Sequence, residues 1–245
     1  IVQETERSVL FGDREDDAHE VLTFSWDGMQ SPHGRRLLAD EKARHVLFRD
    51  ETGAEELLFS FDDVPLIGKH NMENAAFAAG AIRMLTGKGI MRGPLFSGFK
   101  GLAHRCEFVA NIRGVTYVDD SKGTNVAASA TALRSITGPK IVILGGQGKG
   151  EEYAPLAEAV KSEAVAAVVL GAEKERIVKA LNEAAFPHIH EVSSMEEAVQ
   201  TASTLAFPQS TVLLSPACTS WDMYPNYKKR GEHFQQLVLA LEDER

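Results

Sequence analysis

The stretch 115–125, VTYVDDSKGTN, combines residue types that could carry chemistry. An apolar β-type run ends abruptly in two carboxylates, Asp119 and Asp120, and Lys122 and Thr124 follow directly. A carboxylate at a strand end can hold a metal ion or a phosphate-bound water, while a lysine and the free N–H groups of a following helix can bind an anion. The alternative is an acidic turn in which Thr124 or the next residue caps that helix.

Two later stretches repeat this pattern of an apolar run followed by small or polar residues. The first, IVILGGQGKG at 141–150, lacks the G-x-x-x-x-G-K-[ST] spacing of a nucleotide loop. Its glycines could let the backbone approach a ligand beside Lys149, or form a plain turn. The second, TVLLSPACTSWD at 211–222, places Ser220 outside any G-x-S-x-G elbow, so hydrogen bonding to a carboxylate suits it better than nucleophilic attack. In an open parallel sheet, the three strand ends would face one crevice.

Other reactive residue types give weaker signals. His188 and His190 share one face of a strand, but with no third ligand nearby a surface position is favoured over a metal site. Cys218 has no neighbouring His or Lys and is expected to be a buried, unreactive thiol. The plainer interpretation of Tyr227 is packing under a loop, and that of Arg230 is a solvated helix start.

The elements that must position these residues fall into two groups. Short β-type runs within residues 1–67 predict an antiparallel meander, and a helix is expected over 70–85 with Asn71 as its cap. Beyond a boundary near Ala103, strands and helices alternate, which predicts an α/β fold with a mostly parallel sheet covered by helices on both faces. The expected strands are 8–12, 20–26, 44–50, 56–66, 107–112, 115–119, 141–145, 165–170, 189–192 and 211–215; the expected helices are 125–136, 153–162, 173–185, 195–206 and 228–241, with 90–102 partly helical.

Composition narrows the class of protein. The 245 residues carry a net charge of −9, which argues against general binding to nucleic acid or anionic membranes. Cys106 and Cys218 lie far apart and suggest no disulfide framework, so a reducing cytosol is the simplest compartment. No apolar run approaches the roughly 20 residues that span a bilayer. Because the chain starts at Ile1 in charged sequence, we expect a fragment of a longer protein.

Five ordered motifs resemble the Mur ligase family, and within it the ligases that add D-glutamate during peptidoglycan synthesis. The similarity extends over residues 70–234, most of the chain. The combination of DSK-x-TN with SPAC-x-S-x-D separates these ligases from sister Mur ligases and from folylpolyglutamate synthetases. The motifs are HNMENAAFA at 70–78, GLAHRCE at 101–107, DSKGTN at 120–125, GGQGK at 145–149 and LSPACTSWDMYPNYKKRGEHF at 214–234.

The resemblance implies a three-domain parent, of which residues 1–103 would be the tail of the central ATPase domain and 104–245 the C-terminal Rossmann-like domain. The implied reaction uses ATP to phosphorylate the carboxylate of UDP-N-acetylmuramoyl-L-alanine, and D-glutamate then attacks the acyl phosphate. The phosphate-binding loop and the Mg²⁺ ligands have no counterpart in this sequence, so no metal ligand is assigned and the chain alone is expected to be inactive. The parent is expected to be a monomer of the bacterial cytoplasm.

The resemblance also implies roles for individual residues. Lys122 and His104 are the expected catalytic residues, with His104 at a domain hinge. The sequence departs from the usual family residue at Gly123, where Ala is common, and also at Cys106, Gln147 and Trp221. The residues implied for D-glutamate are Lys122, Thr124, Lys149, Ser220, Trp221 and Tyr227; those implied for ATP are Asn71, Asn74, Arg105 and Asp120.

Two other classes remain open at this point. One is a standalone Rossmann-type module that binds an acidic metabolite or a nucleotide without catalysis. The other is a phosphoaspartyl enzyme, because Asp119–Thr124 resembles a D-x-K-x-G-T motif. That enzyme would need a further lysine and acidic motif at later strand ends, which SPACTSWD does not supply.

Overall fold

The computed structural model describes residues 2–3, 22–26, 35–87, 96 and 101–243. The chain divides into two compact units. Unit 1 comprises Ile1–Pro65 and Lys69–Lys100, and unit 2 comprises Leu66–Gly68 and Gly101–Arg245. Among the described residues, no helix is both long and apolar enough to cross a membrane.

Unit 1 contains a five-stranded sheet in the order β1-β2-β3-β4-β5. The pairs β3–β4 and β4–β5 are antiparallel, as the meander prediction requires, but β1–β2 and β2–β3 are parallel. The prediction of an all-antiparallel meander is therefore wrong, since a tight turn after β2 cannot join parallel neighbours. The elements are β1 Val2–Gln3, β2 Leu22–Trp26, β3 Arg35–Asp40, β4 His45–Arg49, β5 Glu55–Ser60, a 3-10 turn Phe61–Asp63 and helix α1 Lys69–Thr86.

The sequence does not predict strand β3, because its apolar run of three residues is short and follows two arginines. Leu37 and Leu38 of this strand are nevertheless buried. Helix α1 packs on the sheet so closely that a Cβ on Gly80 would lie 2.6 Å from Leu37 Cδ1. Asn71 lies inside the first turn of α1, which starts at Lys69, so its prediction as the cap is wrong. The predicted strand at 8–12 and most of the segment 90–102 lie outside the described residues.

Unit 2 contains a six-stranded sheet in the order β10-β9-β8-β11-β7-β6. Every neighbouring pair is parallel except β6–β7, which is antiparallel. The expected α/β fold is thereby confirmed. The elements are β6 Glu107–Ile112, β7 Val115–Asp119, α2 Val126–Ser135, β8 Lys140–Gly145, α3 Ala154–Glu163, β9 Ala166–Leu170, α4 Lys174–Glu183, β10 Ile189–Glu191, α5 Met195–Leu205, β11 Thr211–Leu214 and α6 Tyr227–Asp243.

The central strand β8 shows why helices cover both faces of this sheet. All six of its residues are buried, and successive side chains enter opposite cores. Val142 and Leu144 pack in a core with residues of α2, α3 and α4. Ile141 and Ile143 pack in a second core with residues of α5 and α6. A strand buried on both sides reads as a continuous apolar run, which is why IVILG was recognisable.

The sheet order brings the three chemically interesting strand ends together. Strand β11 lies between β7 and β8, and all three run parallel. In this register Leu214 is opposite both Asp119 and Ile143. The loops that follow these strands therefore leave the same edge of the sheet side by side, as the sequence predicted.

Candidate functional site at the strand ends

The loops after β8 and β11 are joined by direct backbone contacts. Gly145 N donates to Pro216 O at 2.8 Å, and Gln147 and Thr219 exchange two backbone hydrogen bonds of 2.9 Å each. Gly146 has a φ of +131°, and a Cβ there would collide with Thr219 O. The glycines of GGQGKG thus allow two backbones to touch each other. The charged side chain of Lys149 follows on the exposed part of this loop.

Lys122 and Tyr227 are paired across the crevice between the β7 and β11 loops. Lys122 Nζ lies 3.5 Å from Tyr227 Oη and 5.0 Å from the centre of the tyrosine ring. The ammonium group is therefore within range of a cation–π interaction while its side chain stays exposed. Two of the residues expected to bind D-glutamate are thus brought together from positions 105 apart in sequence.

The remaining residues expected at the amino-acid site differ in exposure. Thr124 is half-buried, and Trp221 is 67% exposed. Ser220 is 1% exposed, and its buried Oγ has no hydrogen-bond partner among the described residues. Leaving a buried polar atom unsatisfied is costly, so Ser220 Oγ and Arg230 Nη1, which is also buried without a partner among the described residues, would both gain from a new partner.

Arg230 on α6 organises the candidate site, which the sequence did not reveal. Its Nε donates to Ser121 Oγ at 3.0 Å, and its Nη2 donates to Ser121 O at 2.8 Å and to Cys218 O at 3.0 Å. Burial lowers the pKa of this guanidinium to about 10. The side chain is only 1% exposed, so the expectation of a solvated helix start is wrong. Arg230 holds the loop after β7 to the loop after β11.

His104 belongs to a buried polar cluster at the end of β7, and its ring centre lies 6.0 Å from that of Tyr227. Its Nδ1 is 2.7 Å from Asp119 Oδ2, and this hydrogen bond raises the pKa of the imidazole. Gln235 Nε2 donates to the same Asp119 oxygen at 2.8 Å and to Glu107 Oε2 at 3.0 Å. His104, Glu107 and Asp119 each offer a possible ligand atom, and these three atoms lie within 4.8 Å of one another, close enough to hold a metal ion. Because these atoms already satisfy one another, we assign no metal to them.

Asp120 is turned into the domain. Its side chain is 7% exposed, and its Oδ2 accepts a hydrogen bond from Ser215 Oγ at 2.7 Å. Its Oδ1 accepts a longer one from Cys106 N at 3.3 Å. Burial raises the pKa of this carboxyl to about 6, against the effect of these donors. The role of Asp120 toward ATP stays a prediction.

The start of α2 is already occupied by side chains of the protein. Asn125 Oδ1 accepts from Ala128 N at 2.8 Å, which is the capping alternative foreseen for this turn. Glu151 Oε2 accepts from Val126 N at 3.0 Å. The expectation of free N–H groups at this helix start is therefore wrong for these two donors.

The other predicted residues lie as follows. Arg105 is exposed immediately after His104, and Asn74 is exposed on α1 of unit 1, where Asn71 is half-buried. His188 is exposed and belongs to no group of potential metal ligands found among the described residues. The thiol of Cys218 is buried, and burial raises its pKa to about 11, as expected for an unreactive cysteine.

The fold and the strand-end loops define the class of this domain. Residues 104–218 match the family model of the Mur ligase, glutamate ligase domain. These residues therefore belong to the Mur ligase family, which confirms the resemblance seen in the motifs.

Curated relatives make the similarity more specific. The chain is 40% identical over 189 residues to a UDP-N-acetylmuramoylalanine--D-glutamate ligase of Pelotomaculum thermopropionicum, covering 77% of this chain and 42% of the relative. It is 43% identical over 188 residues to the ligase of the same name from Shewanella violacea, covering 74% and 40%. The chain spans less than half the length of these relatives.

Solved structures confirm the fold. The UDP-N-acetylmuramate-alanine ligase MurC of Thermotoga maritima matches with a TM-score of 0.58 and 14% identity, over 91% of this chain and 48% of that one. The E. coli FolC structure in complex with ADP matches with a TM-score of 0.56 and 16% identity, over 85% and 47%. At these identities the likeness supports the architecture alone.

Proposed function

We propose that this chain contributes the D-glutamate-binding part of an ATP-dependent amide ligase that acts on UDP-N-acetylmuramoyl-L-alanine. The observation that carries the proposal is the pairing of Lys122 with Tyr227 after β7, with the loop of Lys149 leaving the same edge of the sheet on the far side of β11. The names of the curated relatives supply the substrate. D-Glutamate has two carboxylates, so its site needs separate groups of cations or donors.

The strand-end loops offer such groups. Lys122 and Lys149 are exposed ammonium groups on the β7 and β8 loops, and Thr124 adds a hydroxyl next to the first of them. Ser220 lies on the β11 loop, and its Oγ has no hydrogen-bond partner within the described part of the chain. Tyr227 and the exposed ring of Trp221 provide apolar contact for the carbon chain. We assign all six residues to the D-glutamate site.

The nucleotide side is proposed from the resemblance. Asn71 and Asn74 of α1 would contact the adenine, and the exposed Arg105 would contact the phosphates. The phosphate-binding loop and the Mg²⁺ ligands are assigned to parts of the parent protein outside this sequence. Residues 1–103 are assigned to the tail of the central domain, and residues 104–245 to the C-terminal domain. We take the parent to be a monomeric enzyme of the bacterial cytoplasm.

The role of this chain in the reaction would be to position D-glutamate. A carboxylate is a poor acyl donor, and ATP supplies the phosphoryl group that turns one carboxylate oxygen into a leaving group. Lys122 and Lys149 would then hold D-glutamate by its own carboxylates, with its amine free to attack. Most of the rate effect comes from charge neutralisation and orientation. The hydrogen bond between His104 and Asp119 would hold the backbone in position at the start of the C-terminal domain.

Binding and turnover test the proposal separately. Titration of the chain with D-glutamate, followed by NMR chemical shifts, should show weak binding that perturbs the 120–125 and 145–150 loops, with L-glutamate binding less well. Incubation with ATP, D-glutamate and UDP-N-acetylmuramoyl-L-alanine should give no ADP. A chimera in which the matched 77% of this chain replaces the matched 42% of the Pelotomaculum thermopropionicum relative should release ADP in a D-glutamate-dependent reaction. Binding without turnover in a folded chimera would favour a non-catalytic module.

A further inference from the structure

We infer that Asp120 is a positioning residue that locks the Lys122 turn against the β11 loop, with its carboxylate facing into the domain. The inference rests on the proposed D-glutamate site, because the locked turn carries Lys122 and Thr124. The resemblance assigns this aspartate to the nucleotide, so the structure gives it a different role.

The contacts of the carboxylate are all internal. Oδ2 accepts from Ser215 Oγ at 2.7 Å, and Oδ1 accepts from Cys106 N at 3.3 Å. Ser215 is fully buried, and Asp120 is 7% exposed. With both oxygens committed to donors of the protein, the side chain is bound in the way a structural carboxylate is bound.

The network continues from Ser215 into helix α2 and back to the β11 loop. Ser215 Oγ lies 2.9 Å from Ser129 Oγ, and Ser129 Oγ in turn accepts from Ala217 N at 2.9 Å. Asp120 therefore connects the end of β7, the start of the β11 loop and the first helix of the site. Removing a member of such a network leaves buried polar groups unsatisfied.

Gly123 provides the space for this arrangement. A Cβ at position 123 would lie 2.5 Å from Asp120 Oδ2 and 3.0 Å from Ser215 Oγ. Unlike Gly145 and Gly146, Gly123 has no positive φ, so the nearest obstacle to alanine is the carboxylate, followed by Ser215 Oγ and by Asp120 O at 3.1 Å. The inward position of Asp120 and the glycine three residues later therefore depend on each other.

The lock acts on Lys122 through the backbone. Gly123 N donates to Asp120 O at 2.8 Å, and Lys122 N donates to His104 O at 3.0 Å. These bonds close a tight turn whose first residue is fixed by its own side chain. Releasing the Asp120 carboxylate frees the turn, and the ammonium group of Lys122 loses its orderly position beside Tyr227.

Four variants test the inference in the intact chain: Asp120→Asn, Asp120→Ala, Gly123→Ala, and the last two combined. D-Glutamate affinity is measured by NMR titration and unfolding by urea titration. Asparagine can donate to Ser215 and accept from Cys106, so Asp120→Asn should keep the affinity within about threefold. Asp120→Ala and Gly123→Ala should each weaken binding about tenfold, and Gly123→Ala should add less once Asp120 is Ala, because its nearest obstacle is gone and only the longer contacts with Ser215 Oγ and Asp120 O remain.

Several outcomes would overturn the inference. Additive effects of Gly123→Ala and Asp120→Ala on the unfolding constant would show that the two positions do not meet. Loss of D-glutamate binding in a well-folded Asp120→Asn would show that the charge itself contacts the ligand. In the chimera, a rise of the KM for ATP in Asp120→Asn with an unchanged KM for D-glutamate would show that Asp120 binds the nucleotide. If the wild-type chain fails to bind D-glutamate, the proposed function is refuted. The unfolding data would still show whether positions 120 and 123 are in contact.

Discussion

Glu151 Oε2 accepts a hydrogen bond of 3.0 Å from the backbone N–H of Val126. A residue of the Lys149 loop thereby supplies the negative charge at the start of α2, where a ligand carboxylate could otherwise bind. A carboxylate at a helix N-terminus stabilises by about 0.3–1 kcal/mol. We expect Glu151→Ala to lower the free energy of unfolding by about 1 kcal/mol in urea titrations, and to increase binding of small carboxylates at this helix start.

The neighbouring Glu152, which is exposed, provides the matched control. Glu152→Ala removes the same charge from the same loop without touching the Val126 bond. Acetate and D-glutamate titrations of both variants, followed at the amide of Val126, compare the two positions. Equal effects of the two substitutions would mean that the Glu151 contact contributes nothing beyond overall charge.

Lys122 should be necessary for amino-acid binding. Lys122→Ala removes the ammonium group that lies beside Tyr227, and loss of one preorganised cationic contact costs on the order of 10² in kcat/KM. In the chimera we expect a loss of that size. The salt dependence of D-glutamate binding to the chain should also disappear in a Lys122/Lys149 double alanine variant. The control is Lys179→Ala, an exposed lysine on α4 paired with Glu183; a similar loss there would remove Lys122 from the site.

Gly146 should be intolerant of any side chain. Its φ of +131° and the Thr219 carbonyl oxygen both oppose a Cβ, so Gly146→Ala should destabilise the fold by about 3 kcal/mol. Gly150 also has a positive φ, of +81°, but no atom of the described residues lies within 4 Å of the added Cβ, so Gly150→Ala should cost only about 1 kcal/mol. Urea titrations measure both. If the two substitutions cost the same, backbone packing between the β8 and β11 loops is not what requires Gly146.

The buried Asp120 should give the stability a pH dependence. Because its folded pKa is about 6, above the ordinary 3.8, its contribution is fully present below pH 3.8 and is lost as the pH rises through 6. One pKa unit corresponds to about 1.4 kcal/mol, so Asp120→Asn should stabilise the chain by on the order of 3 kcal/mol above pH 7. Thermal unfolding from pH 4 to pH 8 measures this. A constant difference between the two proteins across the range would contradict the raised pKa.

The strands and helices of unit 2 could be predicted because their signals are local. Residues 107–112 and 115–119 were assigned with the bounds that the structure shows, and the apolar run of β8 with an error of one residue. Periodicity and turn residues decide such elements. In unit 1 the same reasoning failed for the pairing of β2 with β3, because strand direction is set by partners that local sequence does not name.

The site was harder to predict, because the contacts that organise it are distant in sequence. Arg230 binds Ser121 across 109 positions, and nothing around Arg230 distinguishes it from a surface arginine at a helix start. Ser215 reaches Asp120 across 95 positions. Family resemblance could mark Lys122 and Ser220, but burial of Asp120 and the capping role of Glu151 follow from packing alone.

The backbones of Gly146 and Thr219 are in direct contact, so main-chain atoms hold the β8 and β11 loops in place and the exposed side chains of the crevice do not. Lys149 and Trp221 project from loops whose placement depends on main-chain contacts that involve neither side chain. Either residue can therefore be exchanged without rebuilding the scaffold. Under the proposed function, the domain is a suitable starting point for redesigning which amino acid is accepted, with the glycines left untouched and variation confined to the two exposed side chains.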